Sequence, residues 1–231
     1  MGWIFEPAQT IAVPVEGEVA QFPVRRVFCV GRNYVEHARE MGNEVDREAP
    51  FYFTKSAQAV VATGATVPYP PGTSDYHHEM ELVIAIGAPA FKVSAGQALR
   101  CVYGYAAGLD MTRRDLQTAS KSKRRPWDTG KDFENSAVIA PIRRAEEVGA
   151  IGPQRIALSV NGQMRQDSVL SDMVWSVPEI ISHLSTLYHL MPGDLIYTGT
   201  PAGVGPVGPG DVIEGTIDGL APIRLMVGAP D

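Results

Sequence analysis

Glu79 and Glu81 stand two residues apart at the head of the apolar run 80–87 (MELVIAIG). If that run is a strand, the two carboxylates share one face of an element that otherwise favours burial. Like charges placed there repel and lose hydration, at a cost on the order of several kcal/mol per ion. Either one of them is protonated, with a raised pKa, or a bound cation satisfies both. Asp110 ends a second apolar run, 102–109, just before a turn, and sets a third carboxylate at the rim of a buried sheet. Three carboxylates without a Cys or His pair suit a hard ion with octahedral oxygen ligands, Mg2+ or Mn2+, better than zinc. Taken singly, a Glu-x-Glu pair is more often a solvated strand edge, and an Asp after a strand a turn or a cap. Convergence in space decides between these readings.

A second group lies in 33–40 (NYVEHARE). Asn33 can cap a short helix running to about Met41, which would put His37 and Glu40 on one face. A carboxylate so placed orients an imidazole and raises its basicity, making a general base near neutral pH; without further context the same pair describes a surface helix. His77 and His78 beside Glu79 read as residues behind the ligands or facing solvent. A third group comprises Arg114 and Gln117, three apart on a short helix that Thr112 to Asp115 would cap, with Lys131 in 129–133 (TGKDF) and Thr200 in a Gly-Thr-Pro turn. Beside a metal they would form a pocket for an anionic, oxygen-rich ligand. Arg offers a carboxylate a bidentate fork, and Lys stabilises developing negative charge. Lys55, in 53–56 (FTKS), has apolar surroundings and no assigned role. The basic run 121–125 (KSKRR) reads as a solvated loop, and the Gly-rich stretch 199–210 lacks the Gly-Lys-Ser/Thr ending of a phosphate loop.

The elements that must position these groups follow from pattern. The chain has 231 residues, 45% hydrophobic and 20% charged, which excludes disorder and coiled coil as whole-chain descriptions. With 23 Gly and 18 Pro it suits a strand-rich chain with many turns. Its net charge of −6 argues against non-specific nucleic-acid binding. The N-terminus lacks the basic and long apolar segments of a signal peptide, and no apolar run approaches the ~20 residues of a membrane helix, so a soluble cytoplasmic protein is expected. Cys29 and Cys101 sit among apolar residues and read as buried thiols. Strands are expected at 27–30, 80–87, 102–109 and 195–198, with extended structure over 50–61. Asn161-Gly162 signals a hairpin, and a final hairpin runs to about 227. The best helix spans 177–190, with a Ser176/Glu179 capping box, Pro178 in the first turn and Ile180, Ile181, Leu184, Leu187 and Tyr188 on one apolar face. The sum is a mixed α+β chain dominated by strands.

Six segments occur in a telling order: CVGRNYVEHAREMG (29–42), FYFTKSAQAVV (51–61), YHHEMELVIAIG (76–87), GYAAGLDMTRRDLQ (104–117), KDFENSAVIAP (131–141) and LMPGDLIYTGTPAGVGPVGPGD (190–211). Through them the chain resembles the fumarylacetoacetate hydrolase superfamily, and within it the smaller acylpyruvate hydrolases, including the fumarylpyruvate hydrolases of gentisate degradation. The resemblance implies a β-rich mixed-sheet roll of the fumarylacetoacetate hydrolase C-terminal domain type with short flanking helices, usually a homodimer. It implies a single catalytic domain over 24–231, with 1–23 a short lead-in or hairpin in place of the long N-terminal domain of larger members. It matches the family's metal carboxylates to Glu79, Glu81 and Asp110, holding Mg2+ or Mn2+. Its active-site His–Glu pair, on a segment that orders over the substrate, matches His37 and Glu40; its lysine matches Lys131, and its substrate contacts match Arg114, Gln117 and Thr200. The implied reaction is hydrolysis of a carbon–carbon bond in a 2,4-dioxo acid, with fumarylpyruvate as the best guess, to pyruvate and a carboxylic acid. The alternatives are an oxaloacetate decarboxylase or a 2-oxo-acid isomerase or decarboxylase of the same superfamily, and less readily a non-catalytic acid-binding relative. The distal half of the pocket is expected to draw on residues 40–55.

Overall fold

The computed structural model describes residues 2–42 and 47–231. Strand Met80–Ile86 lies at its centre, buried at every position and antiparallel to Val102–Asp110 on one edge and Asp194–Tyr197 on the other. Covered on both faces, it reads as a continuous apolar run instead of an alternation. The main sheet runs, in spatial order, Phe51–Lys55, Arg26–Gly31, Asp194–Tyr197, Met80–Ile86, Val102–Asp110, Ala137–Ile139 and Val60–Ala62, with Arg143–Arg144 also pairing to Val102–Asp110. It is mixed: Arg26–Gly31 is parallel to Asp194–Tyr197 and Ala137–Ile139 is parallel to Val60–Ala62, while the other neighbours are antiparallel.

A second sheet, in the order Gln163–Val169, Arg155–Val160, Val212–Ile217, Ile223–Gly228 and Thr66–Pro68, packs on one face of the first. Leu82, Ile84 and Leu109 form one core with Ile156, Leu158, Ile213 and Leu225 there. The other face, bearing Val83, Ala85 and Ala106, is covered by Val13 and Phe22 of the hairpin Ala12–Pro14/Gln21–Pro23. The result is the strand-rich mixed-sheet roll with short helices that the sequence led one to expect. Asn161 and Gly162 turn the 155–169 hairpin with φ of 52° and 76°, as a type I′ turn requires. Cys29 and Cys101 are buried free thiols. No helix of the described residues is long and apolar enough to cross a membrane.

Local expectations fail where distant partners take over. Glu79 lies outside strand Met80–Ile86, in the one-residue break after Tyr76–His78, while Glu81 lies within the strand. The ladder continues across the break, because the Asp110 N–H donates to the Glu79 carbonyl at 2.9 Å. Asn33 does not cap helix Val35–Glu40; Tyr34 holds the cap position without a side-chain bond. The Asn33 amide instead donates to the Thr198 and Trp175 carbonyls at 2.8 and 3.0 Å and accepts from the Trp175 N–H at 2.7 Å. Thr112 belongs to the short strand Thr112–Arg113 and does not cap helix Arg114–Ser122. Asp115 instead binds the Thr73 hydroxyl at 2.6 Å and the Ser74 N–H at 3.0 Å, tying that helix to the 73–75 loop. Helix Val177–Leu187 stops three residues short of position 190, because Leu190 and Ala90 exchange backbone hydrogen bonds of 2.9 and 3.0 Å that need an extended chain.

The capping box at Ser176 and Glu179 is formed as expected. Replacing Ser176 by Ala should therefore lower stability by about 1 kcal/mol. Urea unfolding measures this, and an unchanged midpoint would contradict the capping role.

Candidate active site

Where the ends of Met80–Ile86 and Val102–Asp110 meet, three acids from separate parts of the chain converge. One oxygen of each of Glu79, Glu81 and Asp110 lies within 4.8 Å of the others, and all three residues are buried. Lys131, closing the one-turn helix Asp128–Lys131, donates to Glu79 Oε2 and Asp110 Oδ2, both at 2.8 Å, and to the Thr112 hydroxyl at 2.7 Å. Arg114 pairs with Glu79 Oε1 and donates to Gln117 Oε1 at 2.7 Å. Burial pushes the Glu79 carboxyl up, but the charges of Lys131 and Arg114 outweigh it and hold the group well below the usual range. Burial would likewise depress Lys131, yet Asp110 and Glu79 keep its ammonium above its ordinary value. Glu81 goes the other way: burial, then the charges of Asp110 and Glu79, raise it far above a normal carboxyl, against one opposing hydrogen bond from the Gly199 N–H at 2.7 Å.

These residues fit a divalent cation on three counts. Asp110 Oδ1 is buried and accepts no hydrogen bond. Lys55 Nζ stands 2.9 Å from it, but directs its protons to the carbonyls of Met111 and Lys131 and to the Ser136 hydroxyl. Burial and the neighbouring acids disfavour the ionised form of Glu81, a cost that a metal ion would offset. The donors are all hard carboxylate oxygens, the set a hard ion prefers.

His37 is buried, and its Nδ1 lies 3.3 Å from Glu40 Oε2 within helix Val35–Glu40, as their spacing suggested. Burial lowers its pKa below 6.5, with Glu79 and Glu40 opposing, so the ring is neutral at pH 7 and free to accept a proton. His37, Arg114, Gln117, Lys131 and Thr200 line one cavity with the three carboxylates, while Glu40 stands behind His37. The Glu40 oxygens accept from the Gly203 N–H, each at 3.2 Å.

Sequence reasoning left out two supports. Lys55 is fully buried against Asp110; its apolar setting was the signal, but its partners are remote in the chain. Gln166 donates to the Thr200 hydroxyl and the Pro201 carbonyl, both at 2.8 Å, and accepts from the Met80 N–H at 3.0 Å. Nothing local marks it. His78 is buried against Gln166 at 3.3 Å, its pKa lowered to about 4 by burial, and so does not face solvent. His77 bridges Asp75 at 2.8 Å and Arg114 at 3.5 Å. Lys121 is half-buried and lines the cavity, which corrects the solvated-loop reading of 121–125 at its first residue. Of the 40–55 segment, Met41 and Phe53 line the cavity; residues 43–46 lie outside the described residues.

The sequence matches the fumarylacetoacetate (FAA) hydrolase C-terminal family over residues 26–227. A Ralstonia protein named fumarylpyruvate hydrolase is 58% identical over 190 residues, covering 81% of this chain and 98% of that one. The human mitochondrial oxaloacetate tautomerase FAHD1 is 39% identical over 207 residues, covering 90% of this chain and 93% of that one. The crystal structure of fumarylpyruvate hydrolase from Pseudomonas aeruginosa in complex with Mn2+ and pyruvate superposes with a TM-score of 0.95 at 47% identity, covering 99% of this chain and all of that one.

A ligating carboxylate must be ionised, and the surroundings of Glu81 favour its protonated form, so Mn2+ uptake should release protons and tighten as pH rises. Calorimetry in buffers of different ionisation enthalpy reads this directly; binding without proton release would contradict the state assigned to Glu81.

Proposed function

The chain belongs to the fumarylacetoacetate hydrolase family, and we propose that it is a metal-dependent hydrolase of acylpyruvates, with fumarylpyruvate the favoured substrate. The observation that carries this reading is a neutral, buried imidazole sharing a cavity with three clustered carboxylates and a lysine ammonium. The Ralstonia relative's name and the pyruvate bound in the Pseudomonas enzyme support it. The reading takes residues 24–231 as one catalytic domain, with 1–23 as a lead-in, and the protein as a cytoplasmic homodimer serving gentisate breakdown.

Glu79, Glu81 and Asp110 would hold Mg2+ or Mn2+, which when bound supplies Lewis acidity toward a 2-oxo acid. The chain's own residues account for the rest. Arg114, with Gln117 beside it, offers a fork to the substrate carboxylate, and the Thr200 hydroxyl adds a polar contact. Because Glu40 engages Nδ1 of His37, Nε2 is the nitrogen left to take a proton from water. The resulting hydroxide adds to the C4 carbonyl. The C3–C4 bond breaks, its electron pair stays on C3 as the enolate of pyruvate, and protonation at C3 gives pyruvate and the acyl carboxylic acid. Lys131 opposes the enolate charge, which exists only late in the reaction, so its stabilisation favours the transition state over the substrate.

The 39% identity to an oxaloacetate tautomerase favours a second reading, decarboxylation or tautomerisation of oxaloacetate. Decarboxylation passes through the same enolate without an attacking water. Glu40→Gln should thus reduce acylpyruvate hydrolysis about 100-fold and oxaloacetate decarboxylation far less; equal losses would contradict the role of Glu40. Since His37 must be neutral and its pKa is lowered, kcat/KM should hold constant near neutrality and fall only below pH 6.5. Glu40→Gln removes the negative charge that helps raise that pKa, so its acid limb should move lower still. Glu81→Ala should abolish metal binding and both activities together, and full activity after chelation would sink the metal requirement.

A further inference from the structure

The cavity has a second cationic end. Arg32 and Lys121 line it beside Phe53 and Trp127. Among the described residues neither cation makes an ion pair with an acid. Lys121 Nζ lies 4.7 Å from the Trp127 ring centroid, and the Trp127 ring lies 6.0 Å from Phe53. Phe53 in turn has Lys131 Nζ 4.9 Å from its centroid. Each lysine therefore stands over one ring of an aromatic pair. Arg32 is held with φ of 59°, a conformation that a long side chain rarely adopts. Burial, then the charges of Arg114, Lys131 and Arg32 against that of Glu79, lowers the Lys121 pKa to about 8.

We propose that Arg32 and Lys121 form a subsite for a second carboxylate, so that the enzyme selects acylpyruvates whose acyl group ends in an acid over those that end in a methyl group. This rests on the acylpyruvate reading above. A short, flat, unsaturated acyl chain would lie along Phe53 and Trp127, with its terminal carboxylate between a guanidinium fork and an ammonium. A methyl-ended chain would leave both cations unanswered. The competing role for Lys121 is structural: a basic residue in the last turn of helix Arg114–Ser122 favours the helix dipole. That role would not distinguish one substrate from another.

The test compares kcat/KM for fumarylpyruvate and acetylpyruvate in the wild type, Lys121→Met, Lys121→Arg and Arg32→Asn, Asn being at ease with positive φ. Lys121→Met should lose about 10- to 100-fold on fumarylpyruvate and far less on acetylpyruvate. Lys121→Arg should restore most of the preference, and Arg32→Asn should erode it. Equal losses on both substrates, with a lowered melting temperature, would assign Lys121 to the helix and overturn the proposal. Calorimetric binding of the same two acids to Mn2+-loaded His37→Asn protein, which lacks the base, with and without Lys121→Met, reads the preference without turnover. A wild type that cleaved neither acid would lose the hydrolase reading, while the ratio of the two Kd values in His37→Asn with and without Lys121→Met would still decide the subsite. Equal Kd values for the two acids in the His37→Asn protein with Lys121 intact would overturn it.

Discussion

Three acids can be buried together at a sheet rim only if positive charge is buried with them, and Lys131 carries most of that burden. All three of its protons are placed, on Glu79, Asp110 and Thr112. An ammonium so fully committed has little freedom, which fixes the two carboxylates relative to each other. Its own position comes from a one-turn helix pressed on the next: a Cβ at Gly130 would come within 2.8 Å of the Gln117 backbone nitrogen. The glycine that lets this turn approach therefore also sets Lys131 against Arg114 and Gln117. Charge neutralisation and substrate recognition share one packing contact.

Lys131, Arg114 and Lys55 do not neutralise the acids evenly. Glu79 pairs with Lys131 and Arg114 and Asp110 with Lys131 and Lys55, whereas Glu81 accepts from the Gly199 amide and, among the described residues, pairs with no cation. Even service would make a closed ion-pair network with no reason to take up a ligand. The uneven one leaves negative charge, or a proton that can be displaced, at Glu81. The favourable site for an added cation lies at Glu81, the acid of the three that pairs with neither the lysines nor the arginine among the described residues.

The same division separates what the sequence discloses from what it hides. Glu79, Glu81, Asp110, His37 and Glu40 were legible because short spacing and apolar runs report on faces of strands and helices. The ordered motifs added the remaining cavity residues. Lys55, Gln166 and the true partners of Asn33 were not legible. Lys55 bonds to positions 111, 131 and 136, and Asn33 to 175 and 198, and a choice between a local cap and a remote carbonyl depends on how the chain returns in space. Asn33 illustrates the error well: its type suits a helix cap, and the buried carbonyls of Thr198 and Trp175 bid more strongly because nothing else could satisfy them. Lys121 was hidden for a related reason, since a basic run on a helix end looks the same whether its first residue faces solvent or a cavity.

The Gly-rich stretch after Tyr197, which resembles a phosphate loop only in composition, acquires its meaning from the same geometry. Gly199 and Gly203 each have φ of 96°, a conformation side chains resist, and a Cβ at either would strike Asn33 or the Arg165 carbonyl. What the glycines expose is backbone N–H. Gly199 donates to Glu81 and Gly203 to Glu40, so one loop holds a carboxylate of the acidic cluster and the carboxylate that orients His37. Thr200 lies between them and faces the cavity. Five residues of backbone thus link the cluster that would hold the metal, the polar contact to substrate and the partner of the base. A side chain at either glycine would shift an amide that no other group replaces, and it would disturb both halves of the chemistry through one strained peptide.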